Sequence, residues 1–322
     1  MASSLVRAAA RGAFALALCT TGVLAQGYPE RPVRLIVGFT AGGTTDVVAR
    51  LLAQHLAPLL GQPVVVENKP GAGGVVGADF VAKAPPDGYT LLQASAGLTT
   101  TAAIMRKLPY DTVQAFAWIG TATSYPLVIS TGTKSPLKSL AEVIARAKAE
   151  PGKVTYGTAG VGTAGHFLAE WFSDAAGVEL LHVPFKGAGA YIEVMAGRID
   201  LVFDPVVATL KLVRGGKLRA LAVTSRQPTS FLPDVPVAAQ SVPGYVFQSW
   251  LGLAAPAGTP PAIVERLNRE LRRILADPEV QKRLAEFGGA PAPSSSDEMR
   301  SQVIRETDRW RQLVNSRHIE QQ

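Results

Sequence analysis

The chain has one cysteine, Cys19, and it lies within the first 25 residues. Beyond it there is no thiol, which excludes both disulfide-dependent folding and thiol chemistry. Aromatic residues are few, at 7%, and no basic run is interleaved with them, so nucleic acid is not an expected partner. The Gly-Lys-Ser/Thr ending of a phosphate-binding loop does not occur. Neither does a G-x-S-x-G nucleophile elbow. His55, His166, His182 and His318 show no metal-ligand spacing, and His55 reads as a helix-surface residue without a role. Nothing after the first 25 residues is apolar for the ~20 residues that a membrane span needs.

What remains is an ordinary globular composition, 47% hydrophobic and 18% charged over 322 residues, long enough to bury a core without disulfides or metals. The start differs from the rest. Arg7 and Arg11 precede an apolar stretch from Ala13 to Leu18, and Val23-Leu24-Ala25 offers a cleavage site. Residues 1–25 are therefore expected to be a cleaved secretory signal, with an N-terminal anchor as the alternative. Leu18 before Cys19 does not fit a lipidation site. Loss of Arg7 and Arg11 lowers the net charge from +7 to +5. That charge serves solubility or draws anions. The expected product is exported to the periplasm.

Strands alternate with helices along the rest. Val33 to Val37 is a strand, followed by a helix with Val47, Val48, Leu51, Leu52, Leu56, Leu59 and Leu60 on one stripe. Thr44 or Thr45 is expected to cap it and Gly61 to end it. Val64 to Val66 and Tyr89 to Gln93 are further strands, with a helix from about Val75 to Lys83 between them. This order implies a parallel sheet. It restarts with a strand at Leu127 to Ser130, a capping box at Ser139 and Glu142, and strands at Val154 to Gly157, Leu180 to Val183, Asp200 to Phe203 and Leu218 to Val223. After a crossing segment, Phe247 to Ala255 is strand-like, and helices start at Pro260-Pro261, Asp277-Pro278 and Ser295. These last helices need a sheet to cover. The chain is thus expected to form two α/β lobes around a cleft: lobe 1 from residues 26–125 and 229–322, lobe 2 from 126–228.

Each lobe carries a strand, a glycine–threonine loop and a helix. The first loop is Phe39-Thr40-Ala41-Gly42-Gly43-Thr44 with Asp46 behind it. The second is Gly160-Val161-Gly162-Thr163, with His166 just inside its helix. Glycines let backbone approach a ligand, and free N–H groups at a helix start attract an anion. In open α/β sheets such loops lie beyond the carboxyl ends of the strands, where ligands bind. Gly71-Ala72-Gly73-Gly74-Val75-Val76-Gly77 is one residue too long for a dinucleotide fingerprint. Several residues keep two readings open. Ser95 either touches a ligand or caps, His166 either faces the cleft or bonds to backbone in the core, and Asp46 either meets a ligand ammonium or holds its own helix. Asp46 and Asp204 are isolated acids without a nucleophile or metal beside them. An exported esterase using Ser95 or an acid pair is the alternative from the enzyme class.

The ordered motifs resemble the periplasmic solute-binding proteins of tripartite tricarboxylate transporters, the Bordetella uptake gene (Bug) family, over nearly the whole chain after residue 25. They include Tyr28-Pro29-x-Arg31-Pro32, Gly42-Gly43-x-x-Asp46 and Val66-Glu67-Asn68-Lys69-Pro70-Gly71-Ala72-Gly73-Gly74. Pro86-Asp87-Gly88-Tyr89, Gly160-x-Gly162-Thr163-x-x-His166, His182-Val183-Pro184-Phe185-Lys186-Gly187 and Trp250-x-Gly252-Leu253 follow in order. The resemblance implies a type II periplasmic-binding-protein fold with a ligand cleft between the lobes, acting as a monomer without cofactor, metal or catalysis. It implies a small organic anion as ligand and a membrane permease with a small and a large subunit as partner; a sensor kinase is the alternative partner. The ligand carboxylate would sit on Phe39 to Thr44 and Gly160 to Thr163, flanked by Ser95 and Ala96. Asp204 would read its distal end. Thr40-Ala41 stands where the family often has proline, and Phe185 where it often has tyrosine, which leaves the ligand's identity open.

Overall fold

Val33, Leu35, Ile36 and Val37 make strand β1 (Val33–Val37) apolar on both faces, and both faces are covered. The computed structural model describes residues 27–185 and 189–322; the expected leader, residues 1–25, and Lys186 and Gly187 lie outside the described residues. β1 pairs in parallel with β2 (Val64–Asn68) and β3 (Thr90–Ser95). Helix α1 (Thr44–Leu60) buries Val48, Leu51, Leu52, Leu56 and Leu60, and ends where Gly61 takes φ 72° and donates to the Ala57 carbonyl. Its start differs from expectation. Gly43 is the N-cap, extended at φ −77° and ψ 166°, and no side chain caps the helix. Thr44 and Thr45 are already helical, so neither occupies the position from which a hydroxyl reaches back to the first turn.

A short 3-10 turn (Ala72–Gly74) leads into α2 (Val75–Ala82). After β3 comes α3 (Gly97–Ile104), in which Leu98 to Ile104 are all buried. β4 (Phe116–Gly132) is far longer than the expected strand at Leu127 to Ser130. Its first part, to Pro126, pairs antiparallel with β9 (Gln248–Pro256), with register shifts near Gly120 and Ala122. From Leu127 onward it changes partners, pairing with β7 (Leu201–Pro205) and β8 (Leu218–Val223). β7 in turn pairs with β5 (Thr155–Thr158), and β5 with β6 (Leu181–Pro184), both in parallel. The sheet order is β2-β1-β3-β9-β4-β7-β5-β6.

Helices α4 (Leu140–Ala149), α5 (Ala164–Ala176), α6 (Gly189–Met195) and α7 (Val206–Arg214) flank the second half. Ser139 caps α4 by accepting from the Glu142 N–H, but the Glu142 carboxylate accepts from Lys138 rather than from Ser139, so the expected capping box is only half formed. Gly165 sits so close to β7 that a methyl there would overlap the Phe203 carbonyl oxygen. Helices α8 (Pro261–Leu275) and α9 (Pro278–Glu286), the short β10 (Ala290–Pro291) and α10 (Ser296–Ser316) complete the chain. α8 returns to the first half, where Leu267 and Leu271 join Leu35, Leu52, Leu91 and Leu253 in one core. α10 starts with a full capping box at Ser295 and Glu298. Its far end crosses to α5. Trp310 meets Phe167 edge-on at 5.5 Å and Trp171 at 6.0 Å, and Arg317 Nε lies 3.0 Å from Glu170 Oε2. No helix of the described residues is long and apolar enough to cross a membrane.

Candidate functional site

The first glycine loop leaves the end of β1 and is held from behind. Asp46, 2% exposed, accepts from the Gly42 N–H at 2.9 Å, from Arg50 at 3.0 Å and from Asn68 Nδ2 at 2.8 Å. Asn68 Nδ2 also reaches the Phe39 carbonyl at 3.0 Å. Burial alone would raise the Asp46 pKa, but Arg50, the Gly42 N–H and Asn68 outweigh it and hold the group below its ordinary value. The carboxylate is thus occupied by its own loop. In front of it Thr40, Ala41, Gly42 and Gly43 are exposed. With glycine at the N-cap, the N–H groups of Thr44 and Thr45 have no acceptor among the described residues.

A second helix start lies beside this loop. α3 begins after Ala96, again without a side-chain cap. The Ala96 N–H donates to the Trp250 carbonyl at 3.1 Å, and behind it the Trp250 indole N–H donates to buried Glu306 at 2.9 Å. Burial pushes the Glu306 carboxyl up, against the donors Gln302, Trp250 and Thr99.

The second glycine loop is knitted more tightly. Gly160 and Gly162 take φ 133° and 82°, backbone that favours glycine. The Gly162 N–H donates to His166 Nδ1 at 3.2 Å, so that nitrogen carries no proton. Thr163 caps α5 by accepting from the His166 N–H at 3.4 Å, and its hydroxyl donates to the Gly160 carbonyl at 2.8 Å. Beneath the loop, His182 is stacked between Tyr156 at 4.8 Å and His166 at 4.2 Å, with Nε2 2.7 Å from the Thr158 hydroxyl. Burial holds both histidines neutral. His182 is lowered to about 4, with the neighbouring His166 adding to the effect and Glu170 opposing it.

These three features meet at one cavity of about 420 Å³. Phe39, Ala72 and Gly73 form one side; Gly97, Thr100, Thr101, Ile104 and Met105 of α3 form its length. Val161 to Ala164 of the second loop and Gln322 close it opposite. Of the residues singled out in the sequence, Phe39, Val161, Gly162 and Thr163 line this cavity. Thr40 to Thr44 continue from Phe39 in the same loop. Ser95 is half-buried and Ala96 buried at the root of α3. His166 lies in a neighbouring cavity of about 450 Å³ with Glu170, His182 and Arg317, which shares Val161 and Gln322 with the first. Asp204 lines neither cavity. It accepts from the Tyr191 hydroxyl, and burial raises it to about 6. Sequence reasoning missed α3 altogether. Gly-Leu-Thr-Thr-Thr-Ala-Ala-Ile lacks a polar face, because its surroundings cover nearly all of it.

The sequence profile of the TctC family, described as "Tripartite tricarboxylate transporter family receptor", matches residues 48–319. The chain is 38% identical over 296 residues to the protein BugT of Bordetella pertussis (strain Tohama I), which covers 91% of each chain. The fold matches the periplasmic binding protein BugD with a TM-score of 0.76 at 35% identity, covering 92% of this chain and 100% of BugD. It matches Rpa4515 of R. palustris, solved with adipate, with a TM-score of 0.79 at 35% identity, covering 91% and 99%.

Proposed function

From the premise that this chain belongs to the tripartite tricarboxylate transporter receptor family, and is a solute-binding receptor of that family, we propose that it captures a small organic carboxylate between two lobes in the periplasm. One observation carries this reading: Phe39, which opens the first glycine loop, and Val161 to Thr163 of the second, from opposite halves of the chain, line one cavity. The carboxylate would lie against the open N–H groups at the starts of α1, α3 and α5, where backbone dipoles favour an anion. Phe39 to Thr44 and Gly160 to Thr163 would supply the contacts. Asp46 would keep the first loop in shape and His166 the second. Asp204 would read the far end of the ligand once the lobes close. Family members and structural neighbours are receptors rather than enzymes, and the described lining residues include no acid–base pair with a nucleophile.

The lobes would be residues 26–125 with 229–322, and residues 126–228. The change of partners along β4 at Pro126 and Leu127 supports the first boundary. Ligand contacts made only in the closed form would drive closure. The closed monomer would then deliver its solute to a permease of small and large subunits.

A melting screen of refolded, ligand-free protein tests this. Each carboxylate is paired with its uncharged amide. A ligand at 100 times its Kd adds about 2.7 kcal/mol of stability, so a carboxylate that raises Tm while its amide does not is the expected result. Equal response to both, or to neither, would remove the anion from the reading.

A further inference from the structure

The receptor reading leaves the ligand's body undefined, and the cavity's own wall speaks to it. α3 runs along the cavity from Gly97 to Ile104, a distance of about 10 Å at ~1.5 Å per residue. Its two ends differ in chemistry. The start, at Gly97, lies beside the Phe39 ring and offers N–H groups without a side-chain cap. The far end offers Ile104 and Met105, with Gly162 of the second loop against Ile104 and the Gln322 N–H donating to the Ile104 carbonyl at 2.9 Å; Val161 also lines the cavity. No lysine or arginine stands among the described lining residues. Two of the three lining hydroxyls are committed elsewhere: Thr100 Oγ donates to the Gly97 carbonyl at 3.1 Å and Thr163 Oγ to the Gly160 carbonyl at 2.8 Å.

A second carboxylate placed at the Ile104 end would meet aliphatic side chains and a thioether, with Gln322 as the one polar residue beside them and no cation among the described lining residues. It would also lie at the helix C-terminus, where the dipole is negative. Desolvating a charge against such a wall is unfavourable unless it is paired. An apolar tail gains from the same wall. Resting on the receptor reading above, we infer that the solute is a monocarboxylate with an apolar body, an aliphatic or aromatic acid, rather than a di- or tricarboxylate. Its carboxylate lies at the Gly97 end, beside Phe39, and its body along Ile104, Met105 and Val161.

Calorimetric titration of the refolded protein with butyrate, hexanoate, benzoate, adipate and hexanamide tests this. Hexanoate should bind at least tenfold more tightly than adipate, which has the same chain length and a second charge. Each methylene lost between hexanoate and butyrate should weaken binding about fourfold, the equivalent of ~0.8 kcal/mol per buried methylene. Val161 is 38% exposed, so Val161→Lys should fold. It should lower hexanoate affinity and raise adipate affinity, each by about tenfold. Met105→Gln, a second and milder change, should weaken hexanoate several-fold and leave adipate unaltered. Adipate binding as well as hexanoate in the unaltered protein would overturn this inference and leave the carboxylate receptor standing. Hexanamide matching hexanoate would instead overturn the anion reading itself, and silence across all five would overturn both. The expected wild-type order with no response in either variant would overturn the placement of the tail.

Discussion

At the scale of single residues the first glycine loop is held by a side chain that bonds to the protein itself. Asp46 gives all of its hydrogen-bonding capacity to Gly42, Arg50 and Asn68. Asp46→Asn keeps the shape but removes charge-assisted bonds, worth about 1.5–3 kcal/mol where the acceptor is buried. The urea midpoint should fall by a corresponding amount, and ligand affinity should fall with it because the loop loses its support. Asp46 and His182 also give the protein a pH signature. The Asp46 carboxyl is held below its ordinary value, so its stabilisation is present above pH ~4 and is lost as pH falls further. His182 is lowered from 6.5 to about 4. The unfolded chain therefore binds the extra proton between those values, and stability rises with pH across that window. Asp204 acts the other way. Raised from 3.8 to about 6, it binds its proton more tightly in the folded state and lowers stability as pH climbs through the same range. Melts from pH 4 to 7 should thus steepen in Asp204→Asn and flatten in His182→Gln. An unchanged slope in both would mean that neither group titrates as its surroundings dictate.

At the scale of elements, the uncapped start of α1 is the feature most open to test. A methyl on Gly43 would meet only the Thr40 carbonyl oxygen, at an ordinary 3.6 Å, and φ −77° suits any residue. Gly43→Ser should therefore cap the helix, adding a few tenths of a kcal/mol. The same hydroxyl would occupy N–H groups that the proposed site offers to the solute. Slightly higher Tm with at least tenfold weaker binding is the expected pair of results, and retained affinity would take this helix start out of the site. The elements differ in how far sequence exposed them. α1 and β8 were readable because apolar spacing and glycine or turn residues mark them at both ends. The two glycine loops were readable for a related reason, since positive φ at Gly42, Gly160 and Gly162 restricts those positions to glycine. β4 was read only in part, because Gly120 and Pro126 punctuate it and look like breaks. They are places where the register shifts and the partner changes. α3 and the apolar wall at Ile104 and Met105 were invisible, because their meaning arises only when the second loop lies opposite them.

At the scale of the molecule, α10 fastens the two halves. Its capped start lies by β4, bonding to Ile119 through Ser296, while Trp310 and Arg317 reach α5. One core runs continuously from Tyr156 and Phe203 through Phe167 to Trp310 and Trp250. Unfolding should therefore follow a single cooperative transition by both calorimetry and circular dichroism. Trp310→Ala should cost about 3–5 kcal/mol and separate the halves into two transitions. A single transition, merely lowered, would show that the β4 and β9 crossings suffice to couple them.

Trp250 joins this core to the cavity. Its carbonyl accepts from the root of α3 and its indole N–H is tied to buried Glu306. A settling of α3 around a solute would alter the electric field at that indole. The emission spectrum should therefore shift on solute binding and lose that shift in Trp250→Phe, which would let bound solute be counted without a dye, a label or a radioactive tracer.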